Sequence, residues 1–225
     1  MNKEFWKDKN VFITGHTGFK GSWLSVWLNE LGANVTGYSL SKPTNPCMFE
    51  SLSLEEKVNT VFGDIRDYEK LKNQITLTKP EIVIHMAAQA LVLESYENPV
   101  ETYQTNLMGT VNILNAIKDS PSVKVFINVT SDKCYENKGD PRAFKEDDAM
   151  GGIDPYSASK ACSELITSSY RSSFNSNVAI ATVRAGNVFG GGDWAYNRII
   201  PDFIKKINQK QKLSIRNPTA IRPWQ

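Results

Sequence analysis

Val11-Phe12-Ile13-Thr14-Gly15-His16-Thr17-Gly18-Phe19-Lys20-Gly21 opens with a short apolar run that reads as a buried strand and continues into a glycine turn. Beyond the turn, Trp23, Leu24, Trp27, Leu28 and Leu31 recur at helical spacing, with Gly32 where a helix should be capped. Trp23 and Trp27 are expected in the buried stripe of that helix. Glycines at a strand-to-helix junction permit a tight turn, let backbone approach a pyrophosphate, and let the helix pack close on the strand. The helix start supplies free N–H groups and the positive end of its dipole. Gly15, Gly18 and Gly21 at this place therefore point to a bound dinucleotide.

The pattern continues outward. Strands are predicted over Val35–Leu40, Thr60–Phe62, Glu81–Met86, Val123–Val129 and Val178–Val183. Helices are predicted over Tyr68–Ile75 (with Asp67 as N-cap), Val100–Ile117 and Tyr156–Phe174. Alternation of this kind implies right-handed crossovers and a parallel sheet covered on both faces, an α/β doubly wound (Rossmann) fold. The longest loop, Tyr135 to Pro155, exceeds what a purely structural connection needs. After Gly190-Gly191-Gly192 the alternation loosens into a helix over Ile199–Asn208 and a short strand, Leu213–Ile215. Residues 1–185 read as the dinucleotide-binding domain. Residues 186–225 read as the beginning of a smaller C-terminal substrate-binding region, expected to be cut short at Gln225.

Composition excludes other classes. A chain of 225 residues with 40% apolar residues is globular, neither disordered nor fibrous. Its 26 basic and 24 acidic residues give a net charge of +2 without a basic stripe, so no nucleic-acid partner is expected. No apolar run suits a membrane span, and the charged start does not suit a signal peptide. Cys47, Cys134 and Cys162 show neither metal-ligand spacing nor a disulfide framework, so no metal is expected and a cytoplasmic location is.

The acidic residue that holds a ribose hydroxyl about 20 residues after such a turn is missing. Ser39 in Gly37-Tyr38-Ser39-Leu40 is the candidate in its place, which leaves NAD and NADP both open. Asp64 either accepts from adenine or caps the following turn. Tyr156-Ser157-Ala158-Ser159-Lys160 sets a phenol and an ammonium one helical turn apart. A phenol with a pKa near 10 is a poor base at neutral pH, and a neighbouring ammonium and an oxidised pyridine ring should both lower that value. His85 is expected as a satisfied core residue and Cys134 as a packed thiol.

With Thr14 to Gly21, Met86-Ala87-Ala88-Gln89, Asn106 in Thr105-Asn106-Leu107-Met108-Gly109, Thr130-Ser131-Asp132-Lys133-Cys134-Tyr135 and the Tyr156/Lys160 pair, the chain resembles the extended short-chain dehydrogenase/reductase family over essentially its whole length. Its motifs are most similar to the nucleotide-sugar dehydratases of that family. The resemblance implies NAD, contacted by Gly15, Thr17, Gly18, Phe19, Lys20, Gly21, Ser39, Asp64, Ile65, Ala87, Ala88, Gln89, Asn106, Tyr156 and Lys160. It also implies a nucleoside diphosphate hexose substrate, CDP-glucose favoured, and a homodimer or higher homo-oligomer. Phenolate Tyr156 would take the carbon 4 hydroxyl proton, Lys160 would hold it ionised, and Ser131 would steady the same hydroxyl. Asp132 would protonate the leaving carbon 6 hydroxyl. Lys133 stands where related dehydratases carry Glu. It would act as the base at carbon 5, as an enolate stabiliser, or in a structural ion pair. Asn187, Arg198 and Arg222 are the substrate-side candidates. The alternatives are an epimerase or reductase of the same family, or a truncated and idle dinucleotide-binding fragment.

Overall fold

The computed structural model describes residues 2–139, 142–174, 177–215 and 217–225. Helix α1 (Lys3–Trp6) precedes β1 (Asn10–Thr14), α2 (Phe19–Glu30) and β2 (Asn34–Ser39). Two single turns, α3 (Met48–Ser51) and α4 (Leu54–Lys57), lead to β3 (Asn59–Phe62), α5 (Tyr68–Thr78) and β4 (Ile82–His85). Then come α6 (Val92–Glu97), α7 (Pro99–Tyr103), α8 (Gly109–Lys118), β5 (Val125–Val129), α9 (Pro155–Ser173), β6 (Ala179–Val183) and α10 (Ile199–Asn208).

Among the described residues the strands form one sheet in the order β3-β2-β1-β4-β5-β6, every pairing parallel. The chain winds outward from β1 in both directions, so the crevice above the ends of β1 and β4 is where such sheets bind ligands. Side chains alternate across the pleat. Phe12, Tyr38, Val83 and Phe126 meet Leu71, Ile75, Ile113, Leu114 and Ile117 of α5 and α8 on one face. Val11, Ile13, Val35, Ile82 and Ile84 meet Leu28, Phe49 and Leu54 on the other. Each such fully buried aliphatic or aromatic side chain contributes about 1.5–3 kcal/mol of transfer free energy, which is why the unbroken apolar strands sit in the middle of the sheet.

Three expectations are corrected. Trp23 and Trp27 are half exposed, at 50% and 52%. The face of α2 that meets the sheet carries Gly21, Ser22, Ser25 and Leu28 instead, and packing that close leaves no room for an indole. The helix over Val100–Ile117 is not uniform: α7 and α8 are joined by a π turn at Gln104–Met108. Leu213–Ile215 forms no strand, having no partner strand among the described residues. In the long loop, residues 140 and 141 lie outside the described residues; the rest is anchored by a bridge between Tyr135 and Met150 and by Phe144 stacked on Tyr135 at 4.6 Å. No helix among the described residues is long and apolar enough to cross a membrane.

Candidate active site

The glycine turn folds as its sequence demands. Gly15 has φ +78°, and a Cβ there would lie 2.8 Å from the Ala87 nitrogen; at Gly21 it would lie 2.1 Å from the Gly15 carbonyl oxygen. Backbone therefore packs on backbone where β1, α2 and the loop after β4 meet. Gly18 caps α2 without any side-chain hydrogen bond. The first-turn N–H groups of Phe19, Lys20 and Gly21 have no acceptor within the helix and lie at the turn that follows β1. This cradle fits a pyrophosphate.

Buried polar contacts brace it. The Thr14 hydroxyl accepts from the Met86 and Ala87 N–H groups (3.0 and 3.1 Å). Its own proton therefore goes to His85 Nδ1, 2.8 Å away. His85 is thus the satisfied core residue expected, and burial, helped by the Lys160 charge, lowers its pKa to about 3. On the other side, the neutral His16 ring spans Ser39 Oγ (3.0 Å) and Thr60 Oγ1 (3.3 Å), burial holding its pKa near 4. Ser39 is buried, and its hydroxyl also accepts from the Thr17 N–H at 3.3 Å. The residue expected at the ribose thus also shapes the turn from beneath. Thr17 Oγ1 reaches the Leu40 carbonyl at 3.5 Å. Asp64 accepts from the Arg66 backbone N–H at 2.8 Å and from its guanidinium, which keeps the carboxyl below its usual range. Capping is therefore its visible role. Ile65 is buried beneath Gly109 of α8.

Asn106, at the centre of the π turn, clamps the loop after β4. Its side chain accepts from the Gln89 N–H (2.8 Å) and donates to the Gln89 carbonyl and to Ser159 Oγ (both 2.9 Å). Ala87, Ala88 and Gln89 are held at the crevice mouth, and α9 is tied to the same point.

The chemistry-bearing side chains converge beside this loop. Ser131 caps a 3₁₀ turn, Asp132–Cys134, and donates to Asp132 Oδ1 at 3.0 Å. Asp154 caps α9 and Pro155 occupies its first turn, fixing the start of the helix just before Tyr156. Tyr156 and Lys160 are both buried, and the phenol hydrogen-bonds Ser131. Lys160 Nζ donates to the Val129 carbonyl at 3.4 Å. One expectation is reversed in the protein itself: burial raises the Tyr156 pKa, against which the Ser131 hydrogen bond and the Arg198 charge work. Desolvation wins because the ring is enclosed. The same burial, with the Lys20 charge, brings Lys160 down to about 8, opposed by Glu164 and Cys134. Lys20 is lowered by desolvation and by Arg198, with Asp132 opposing. The Lys20 charge is therefore felt by the catalytic groups as well as standing in the glycine turn. Lys133 forms no ion pair among the described residues. Cys134 is fully buried, and burial pushes its thiol up to about 11, so it is a packed, unreactive side chain.

Of the substrate-side candidates, Arg198 comes to this centre. It acts on Lys20 and Tyr156 and pairs with the buried carboxylate of Asp193 at 3.1 Å. Asn187 engages through its backbone: its N–H donates to the Pro223 carbonyl and its carbonyl accepts from the Gln225 N–H, at 3.0 and 2.9 Å. Arg222 is exposed, with no ion pair among the described residues. Sequence reasoning missed Glu164 and Arg184, a buried carboxylate and a partly buried guanidinium bonded at 2.9 Å behind Lys160. A glutamate four residues after Lys160, on the inner face of the helix, was the available signal.

The profile of the GDP-mannose 4,6 dehydratase family matches residues 12–225. The chain is 53% identical to a CDP-glucose 4,6-dehydratase of Salmonella typhimurium, over 100% of its own length and 65% of the relative's. It is 31% identical to a dTDP-D-glucose 4,6-dehydratase of Dictyostelium discoideum, over 95% and 51%. It thus spans between half and two thirds of these relatives. A UDP-glucose 4-epimerase from Brucella ovis, solved in complex with NAD, is 28% identical with a TM-score of 0.69, covering 81% of this chain and 53% of the other.

Proposed function

The chain belongs to the GDP-mannose 4,6 dehydratase family, and we propose that it serves the NAD-dependent 4,6-dehydration of a nucleoside diphosphate hexose, with CDP-glucose as substrate. The observation that carries this reading is the convergence of Ser131, Asp132 and Lys133 in one turn against a buried Tyr156 and Lys160. An epimerase needs no acid and amine beside its tyrosine; a dehydratase does. The 53% identity to a CDP-glucose 4,6-dehydratase supports the nucleotide, and a relative solved with NAD supports the cofactor. When bound, the nicotinamide would supply a hydride acceptor for carbon 4 and a hydride donor for carbon 6.

The first-turn N–H groups of α2 hold the pyrophosphate, with Thr17 in the turn, Asp64 and Ile65 toward the adenine, and Ser39 toward the ribose. Ala87, Ala88 and Gln89 line the nicotinamide side. Tyr156 removes the proton from the carbon 4 hydroxyl, and Ser131 hydrogen-bonds that hydroxyl and sets its angle. The carbon 4 ketone makes the carbon 5 hydrogen acidic. Lys133 serves carbon 5, as the base that takes its proton or as a stabiliser of the enolate, and Asp132 is the acid for the departing carbon 6 hydroxyl, so that water leaves. Arg198, Asn187 and Arg222 serve the diphosphate and sugar, guanidinium suiting phosphate in a bidentate fashion.

Residues 1–185 form the dinucleotide domain and 186–225 a substrate-side region, a division supported by the Arg198 charge acting on Tyr156 from beyond β6. Three unpaired cysteines support a reducing, cytoplasmic setting. Exposed Tyr96, Val100 and Tyr103 on α6 and α7, with Leu165 on α9, support a homodimer through these helices. Sedimentation of Leu165→Glu should then give a monomer where the native chain gives a dimer, and an unchanged dimer would refute that face. Incubation with CDP-glucose and NAD, followed through the alkaline absorbance of a 4-keto-6-deoxy sugar, tests the activity. Turnover of a UDP or dTDP sugar in preference to CDP-glucose would reassign the nucleotide. Absence of any keto sugar would leave a dinucleotide-binding unit.

A further inference from the structure

Behind Tyr156 and Lys160, α9 carries a second buried charge that the reaction does not itself use. Glu164 lies one turn beyond Lys160 and is buried. Its carboxylate accepts from Arg184 Nε and Nη2, both at 2.9 Å, and from the Thr130 hydroxyl. Thr130 is the residue immediately before Ser131. Its N–H donates to the Val183 carbonyl at 2.9 Å, and the Asp132 N–H donates to the Ala185 carbonyl at 3.0 Å. The turn bearing Ser131, Asp132 and Lys133 is therefore pinned on both sides of Arg184. That same guanidinium donates to the Tyr135 hydroxyl at 2.8 Å and the Glu146 carbonyl at 2.9 Å, so it also ties down the long loop that follows the turn.

We propose that Glu164 and Arg184 are positioning residues for the catalytic centre. Their ion pair locks the Thr130–Lys133 turn to α9, and Glu164 gives the buried ammonium of Lys160 its counter-charge. This rests on the dehydratase reading for its kinetic consequences, but not for its electrostatic ones. The groups facing Lys160 come from each element packed on it. They are the Lys20 ammonium from α2, the neutral His85 ring from β4, the Val129 carbonyl from β5, the neutral Cys134 thiol from the catalytic turn, and Glu164 on α9 itself. Of these, only Glu164 is a carboxylate. Burial works to raise its pKa, yet the hydrogen bonds from Arg184, Thr130 and Thr182 hold it below the ordinary range, so it stays ionised. Without that charge, burial and Lys20 would discharge Lys160 at a lower pH.

The test is the titration of the Lys160 side chain by nitrogen-15 NMR in the full chain, alongside kcat and KM for CDP-glucose across pH. In Glu164→Gln the Lys160 midpoint should fall by about one unit or more, the alkaline limb of kcat should move down with it, and KM should change little. Glu164→Asp keeps the charge and should keep the midpoint near the native one while lowering kcat, because the shorter arm releases Thr130. A midpoint unmoved in Glu164→Gln, or lowered equally in both variants, overturns the proposal. Should Glu164→Gln fail to fold, Arg184→Lys decides: a lysine cannot reach Glu164 and Tyr135 together. A kcat lowered about tenfold or more with dinucleotide affinity retained supports the proposal, and an unchanged kcat overturns it. If the native chain makes no keto sugar, the activity reading fails by itself while the titration still judges the clamp.

Discussion

Both histidines are neutral inside the fold at pH 7, His16 with a pKa of about 4 and His85 of about 3, while the unfolded chain binds the same protons near 6.5. The unfolded state therefore holds more protons over that interval, and stability falls as pH drops from about 6.5 toward 4. Each histidine contributes up to about 1.4 kcal/mol per pH unit. Urea midpoints should be clearly lower at pH 5 than at pH 7, and equal midpoints would contradict the buried neutral rings. For Tyr156 the expected result is chemical. Tyr156→Phe should lower turnover by about 10²- to 10⁴-fold while leaving NAD binding, measured by fluorescence quenching, near the native value. The phenol and lysine were legible because their spacing and their place after a glycine turn carry the chemistry. The direction of the Tyr156 shift was not legible, because desolvation depends on which atoms enclose the ring, and those come from distant segments. Ser39 was placed correctly at the strand end, but its partnership with His16 depends on a side-chain direction that sequence does not encode.

Helix α2 shows what spacing alone leaves out. Apolar spacing puts the tryptophans in the buried stripe, yet Gly21, Ser22 and Ser25 form the buried side with Leu28 and the tryptophans do not. Trp23 instead donates its indole N–H to the Gly191 carbonyl at 3.0 Å, a contact across 168 residues that no local pattern predicts. By contrast, α10 matched its expected bounds, Ile199–Asn208, because a strong apolar periodicity is local. Beside α2, β2 approaches the turn closely: a Cβ on Gly37 would lie 2.1 Å from the His16 ring. Gly37→Ala should destabilise the protein by about 1–3 kcal/mol through overpacking. Adding His16→Ala should recover much of that loss, giving a non-additive cycle in thermal denaturation. Simple additivity would mean the two positions do not touch.

The doubly wound sheet was legible at the scale of the molecule because each strand is an apolar run and each crossover a helical one, and chirality leaves few ways to join them. What escaped was the outer boundary, where Leu213–Ile215 has no partner strand among the described residues and where Pro223–Gln225 instead pairs with Asn187–Phe189. The rim of the sheet carries a practical consequence. Among the described residues strand β6 borders the sheet, and its sequence, Ala-Ile-Ala-Thr-Val, contains no charge, proline or bulge to repel a visiting segment. Concentrated stocks are thus expected to cloud by accretion of one molecule on another along this seam before they melt. A lysine at the outward position, Ala181→Lys, should keep light scattering flat over days without altering the melting point, so the shelf life of the protein would be set by its border and not by its core.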